Sequence, residues 1–249
     1  MRRSILLPSL LLSAVACKGA PPQGTAGPEA EALAKAMQAA VHGDAWRDTG
    51  AVEWNFAGRN AHLWDRRRGF SRVSWGDTEV LFAIDARKGL ATEKGEALAG
   101  EAAKEALDGA HARWTNDAFW LNPVMKAFDP GTVRELLPAD DAGRRGLLVR
   151  YASGGRTPGD AYLWLVDAKN RPVAWKMWTS NIPVGGVEAS WENWVELGSG
   201  ATISTKHETR LFTLELTDVK GARTLAQLHE KDPFAPLTAC LDKGNCLSF

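Results

Sequence analysis

The sequence predicts an α+β fold: one curved antiparallel sheet with a helix packed on its concave side. Three observations lead there. Short segments of alternating apolar and polar residues recur in two runs, each closed by Gly, Pro, Asn or Asp, which is the pattern of an antiparallel meander. One Ala-, Glu- and Lys-rich block with apolar residues at helical spacing separates the runs. About ten strands make a sheet that has to curl and protect its edges, and a helix inside the curl covers it economically.

The elements follow in chain order. Residues 1–17 read MRRSILLPSLLLSAVAC. Arg2 and Arg3 form a positive n-region, and residues 5–16 form an apolar stretch too short to cross a bilayer as a permanent helix. Small residues, Ala14 and Ala16, precede Cys17, so residues 1–16 read as a signal peptide and Cys17 as the lipid attachment site of an exported lipoprotein. Plain secretion by cleavage at the same bond is the alternative. Lys18 is not the Asp that resembles an inner-membrane retention signal, which points to the outer membrane of the cell envelope. Residues 17–28 then form a lipidated Cys and a flexible tether, since KGAPPQGTAGP has little apolar bulk and three prolines. Residues 29–249 form a single domain.

Pro28 and Glu29 open a helix with Leu33, Met37, Ala40 and Val41 at helical spacing, ending near Gly43. Strands are expected over 51–57, 61–65, 71–75 and 79–85. The helical block covers 98–116, with Leu98, Ala102, Leu107 and Trp114 on one side, and runs into Phe119, Trp120 and Leu121. Asp129-Pro130-Gly131 is a turn. Strands resume over 147–152, 160–167, 173–180, 189–197, 202–209 and 211–217, and a last helix covers 223–230. Arg66-Arg67-Arg68 and Asp140-Asp141 read as solvated turns, and Gly198-Ser199-Gly200 as a hairpin turn.

Composition excludes some functions. The chain has 249 residues, 45% apolar and 24% charged, with a formal net charge of zero. Losing Arg2 and Arg3 leaves it slightly acidic, so no nucleic-acid partner is expected, because phosphate binding needs a concentrated basic face. No H-E-x-x-H, P-loop or G-x-S-x-G pattern is present. The five histidines, His42, His62, His111, His207 and His229, are scattered along the chain. No catalytic residue, metal or cofactor is expected, and the protein reads as a non-enzyme. An exported hydrolase would need acidic loops, or His62 with His207, to converge in a cleft. Cys240 and Cys246 flank a turn-rich segment in an exported chain, which suggests a disulfide.

Eleven tryptophans stand against two tyrosines. They suit either a bulky core or the wall of a ligand cavity. Strand alternation places Tyr162, Trp164 and Val166 on one side, and Val173, Trp175 and Met177 on one side with Lys176 and Trp178 opposite. In 189–197 the same rule opposes Trp191, Asn193 and Val195 to Glu192, Trp194 and Glu196. A sheet with bulky apolar groups on both faces is covered on both or presents one to a ligand.

Several stretches resemble a group of bacterial LolA-like envelope proteins of unknown function. These are Val52-Glu53-Trp54-Asn55-Phe56, His62-Leu63-Trp64-Asp65 and, most specifically, FWLNPVMKAFDPGT from Phe119 to Thr132. The resemblance implies an unclosed β-barrel with helices over its mouth, LolA/LolB-like, whose apolar interior holds acyl chains. It implies no ligand residue by position, and the Cys17 anchor makes the receptor-like members the nearer comparison. The expected function is binding of an acyl chain or lipoprotein in that groove, with Trp164, Trp175 and Trp178 as its candidate wall. The chain is expected to be monomeric and to meet the membrane through Cys17. A structural or partner-binding envelope module without ligand is the alternative.

Overall fold

The computed structural model describes residues 19–153 and 159–249. The expected signal peptide and the expected lipid-bearing Cys17 lie outside the described residues. The chain forms α1 (Pro28–Ala40), α2 (Gly43–Asp48), β1 (Ala51–Phe56), β2 (Asn60–Asp65), β3 (Phe70–Trp75), β4 (Thr78–Ala83), β5 (Lys88–Glu93) and β6 (Glu96–Ala97). Then come α3 (Gly100–Leu121), a 3-10 turn (Pro123–Phe128), β7 (Thr132–Leu137), β8 (Arg145–Tyr151), β9 (Ala161–Val166) and β10 (Pro172–Trp178). β11 (Val187–Ser190), β12 (Glu192–Glu196), β13 (Thr202–Glu208), β14 (Thr213–Ala222), a 3-10 turn (Leu225–Gln227), α4 (Ala235–Asp242) and β15 (Leu247–Ser248) complete it.

The fold is α+β, with a large antiparallel sheet that does not close. The strands divide between two sheets, or ladders, rather than forming the single curved sheet expected. One runs β12-β13-β14-β1-β2-β3-β4-β5-β15, and the other β11-β10-β9-β8-β7. They meet where β11 passes directly into β12. There the Trp191 amide donates to the Val173 carbonyl at 2.8 Å, while the Ser190 carbonyl accepts from His207 Nδ1 at 3.0 Å. Asn193 just beyond adopts φ +50, a left-handed conformation that Asn tolerates better than most residues. This turn in the backbone breaks the expected alternation: the Trp191 and Trp194 rings lie 6.2 Å apart instead of on opposite faces.

Helix α3 crosses the inner side of both ladders. Its 22 residues span about 33 Å at 1.5 Å per residue. Ala106, Leu107 and Ala110 pack on Val73, Val80, Phe82 and Ala91 of the first ladder. Near the other end, Phe119 and Trp120 pack on the core of the second. The helix outruns the expected 98–116 because its last turn buries Leu121 and Asp117. It stops before Pro123, which pushes Asn122 out of helical geometry. α1 buries Ala30, Leu33, Ala34 and Met37 in the same core as the second ladder. On the opposite face of the first ladder, Phe234 and Leu237 cover Leu63 and Leu81. Cys240 and Cys246 close the chain's end, with their sulfurs 2.16 Å apart as a disulfide.

Several expectations need correction. Residues 19–27 do not hang free as a tether. Thr25 exchanges two backbone hydrogen bonds with Leu136, at 2.9 and 2.8 Å. The Gly24 amide donates to Glu135, and the Arg150 guanidinium to the Pro22 carbonyl. These are mostly backbone contacts to an open strand edge, so low apolar content did not prevent docking. Arg66 to Arg68 lie in the expected turn, with Arg67 and Arg68 exposed, but their side chains are also pinned. Arg66 lies over the Trp46 and Trp64 rings and donates to two carbonyls, Arg67 donates to the Arg223 carbonyl, and Arg68 pairs with Asp65 and Asp232. The expected helix over 223–230 is only a 3-10 turn with a Thr224/Gln227 capping box, and α4 forms later.

Candidate ligand cavity

The inner faces of β8, β9 and β10 set the site's floor. Strand register puts Val149, Tyr162 and Met177 in one row, and Leu147, Trp164 and Trp175 in the next. Tyr151 and Asp160 follow the first row towards the open end, joined by a Tyr151 amide to Asp160 carbonyl bond of 2.9 Å. Helix α3 forms the roof. Ala112, Thr115, Asn116 and Phe119 share one face at spacings of three and four, and Trp120 joins them. Lys126, Asp129 and Pro130 supply the rim. These groups enclose an open cavity of about 640 Å³, within the roughly 300–1,000 Å³ range of small-molecule sites.

Aromatic rings dominate its wall. Phe119 lies 5.2 Å from Tyr162, Tyr162 4.8 Å from Trp175, Tyr151 5.7 Å from Tyr162 and Trp120 5.0 Å from Trp175, centroid to centroid. The charges are few. Lys126 and Asp129 pair at 2.9 Å. Asp160 is 4% exposed, and its Oδ1 accepts from the Ser180 amide at 2.8 Å. Burial first, then the Asp129 and Asp160 charges, push the Tyr151 phenol well above its ordinary range. Burial and then Asp160 do the same to Tyr162. Both phenols therefore stay protonated across the physiological range.

Behind this wall lies a second layer. Trp164, 2% exposed, sits 4.9 Å from Trp175 and 5.1 Å from Trp191. His207 wedges between Trp191 and Trp120. Burial pulls its imidazole down to about 4, against weaker upward pulls from the Ser190 carbonyl and Glu192. In the other ladder His62 stacks on Trp54 and bonds Asp117 Oδ2 at 2.8 Å, and Asp117 also accepts from Asn60 and Asn116. His62 and His207 thus hold separate partners, and neither lines the cavity. Among the described residues no cluster of three or more His, Cys, Asp or Glu is placed to hold a metal.

The three tryptophans singled out from the sequence part company. Trp175 lines the cavity, and Trp164 backs it. Trp178 lies on the other face of β10, beside Gly185 and the Leu148–Leu163–Leu165 cluster. Phe119, Trp120, Tyr151 and Asp160 were not chosen. Their signal was partly present, because Phe119, Trp120, Lys126, Asp129 and Pro130 all come from the FWLNPVMKAFDPGT stretch. No family model matches the chain, and no curated protein matches it.

Proposed function

We propose that this protein is a lipoprotein of the cell envelope, anchored through Cys17 to the outer membrane, that binds an acyl chain or similar apolar ligand under α3. The carrying observation is the aromatic cavity of about 640 Å³ between α3 and strands β8–β10. A chain of about ten carbons gains roughly 8 kcal/mol on leaving water. Association takes back about 4 kcal/mol or more in lost freedom. The net of about 4 kcal/mol or less corresponds to millimolar affinity or weaker, which suits a ligand that is taken up and handed on. No helix among the described residues is long and apolar enough to cross a membrane, so the proposed attachment rests on the lipid at Cys17.

The test is native mass spectrometry and lipid extraction of the purified protein, with tryptophan fluorescence under titration with decanol. Bound lipid and a saturable fluorescence change are expected, since Trp120 and Trp175 touch the cavity. If no lipid co-purifies and chain ligands leave the fluorescence unchanged, the reading falls. Mass spectrometry of the N-terminal peptide tests the anchor separately, and an unmodified Cys17 removes it.

A further inference from the structure

The cavity's charges are not balanced. Among the described residues, its lining carries two carboxylates, Asp129 and Asp160, and one cation, Lys126. Lys126 is already paired with Asp129. Asp160 is left with the Ser180 amide as its sole hydrogen-bond donor among the described residues, although a carboxylate has sites for about four. A buried carboxylate with no counter-charge among the described residues is costly, and a cation entering the cavity would relieve that cost.

The ring arrangement favours one kind of cation. Asp160 is the cross-strand neighbour of Tyr151 and shares the Tyr162 side of the strand two residues away. Phe119, Tyr162 and Trp175 continue the wall. Aromatic faces within about 6 Å attract cations, and alkylated ammonium groups suit such walls because they also bury apolar surface. An anionic head, by contrast, would meet Asp160 and find Lys126, the one lining cation among the described residues, taken.

We infer that the ligand of this cavity carries an organic ammonium group, a protonated amine or a quaternary ammonium, held by Asp160 against the Tyr151, Tyr162 and Trp175 rings. The inference deepens the proposed chain-binding function and rests on it for the apolar part of the ligand. The shared chemistry is the ammonium, whether it heads a lipid or belongs to a small free amine.

Isothermal titration of the mature protein with four probes tests it: decyltrimethylammonium, decanol, decanoate and tetramethylammonium, all below micelle-forming concentrations. Decyltrimethylammonium is expected to bind at least about tenfold tighter than decanol, with decanoate weakest. Asp160→Asn keeps an oxygen for the Ser180 amide and should abolish the preference for decyltrimethylammonium over decanol. Should that variant fail to fold, Tyr151→Leu, which keeps apolar bulk and removes a ring, should reduce the preference several-fold.

Equal affinity for decanol and decyltrimethylammonium overturns the inference and leaves chain binding standing. So does tightest binding of decanoate, or an undiminished preference in a folded Asp160→Asn variant. Tetramethylammonium binding that depends on Asp160, without decanol binding, supports the ammonium site and removes the chain. Failure of all four probes removes both.

Discussion

At the scale of single residues, two buried polar groups dominate the expectations. His207 is held neutral by its burial among Trp120 and Trp191, with a folded value near 4 against about 6.5 in an unfolded chain. Between those values the unfolded state binds more protons, so stability rises with pH. It is fully present above about pH 6.5 and lost as pH falls towards 4. The full difference is of order 3 kcal/mol. Urea unfolding midpoints from pH 4 to 7 should show that slope, and His207→Gln should flatten it; an unchanged slope would assign the acid sensitivity elsewhere. Asp117 gives the second case. It accepts hydrogen bonds from His62, Asn60 and Asn116 inside the first ladder. Asp117→Ala leaves those donors unmatched in a buried place and should cost about 3 kcal/mol, with Asp117→Asn costing less. Equal, small losses in both variants would mean that the cluster is not a buried network in solution.

At the scale of elements, segment 19–27 docks on the edge strand β7 through an isolated bridge at Thr25. Burial alone would raise Glu135, but the Arg150 guanidinium and the Gly24 amide hold it below the ordinary carboxylate range. A depressed carboxylate contributes stability above its unfolded value and loses it as pH falls through the folded one. The Gly24 and Thr25 amides should therefore exchange slowly at neutral pH and lose protection in acid or in Glu135→Ala. Rapid exchange at neutral pH would show the segment detached. The Cys240–Cys246 link closes a loop with a sequence separation of 6, so Cys246→Ser should cost roughly 2 kcal/mol, read as a shift in unfolding midpoint under non-reducing conditions. Strands β1–β4, β8–β10 and β13 were legible because large residues alternate along them, whereas 189–197, read as one strand, breaks into β11 and β12. β5 was not. Gly89 and Ala91 are its inward residues, and a side chain on Gly89 would collide with Leu107 of α3, 2.6 Å from its Cβ position. A strand kept small for helix contact shows no apolar alternation to read. The cavity was half legible for a related reason. Alternation exposed the Tyr162, Trp175 and Met177 wall, whereas the roof from α3 and the polar Asp160 depend on which helix face meets which strand.

At the scale of the whole molecule, α3 decides whether the two ladders act together. In the chain the ladders are joined at the β11–β12 corner and through α3 itself, which is buried in both, through Leu107 in its first half and Phe119 and Trp120 near its end. A rigid helix docked at both ends transmits any loosening between them, so the ladders should unfold as one cooperative unit. Leu107 is fully buried and lies outside the cavity lining, five residues before Ala112 on α3. Leu107→Ala removes buried methyl groups and leaves a void, which should cost about 2–5 kcal/mol. If coupling holds, hydrogen exchange should rise by the same free energy in β3–β5 and in β8–β10. The ligand, bound under the other end of α3, should then restore protection in β3–β5 as well as around the cavity, since binding to the native state stabilises the whole cooperative unit. Increased exchange confined to β3–β5, with β8–β10 and ligand affinity untouched, would instead divide the molecule into two independently stable ladders. The cavity would then belong to the second ladder and the final turns of α3, and the rest of the sheet would serve some other purpose than holding its roof in place.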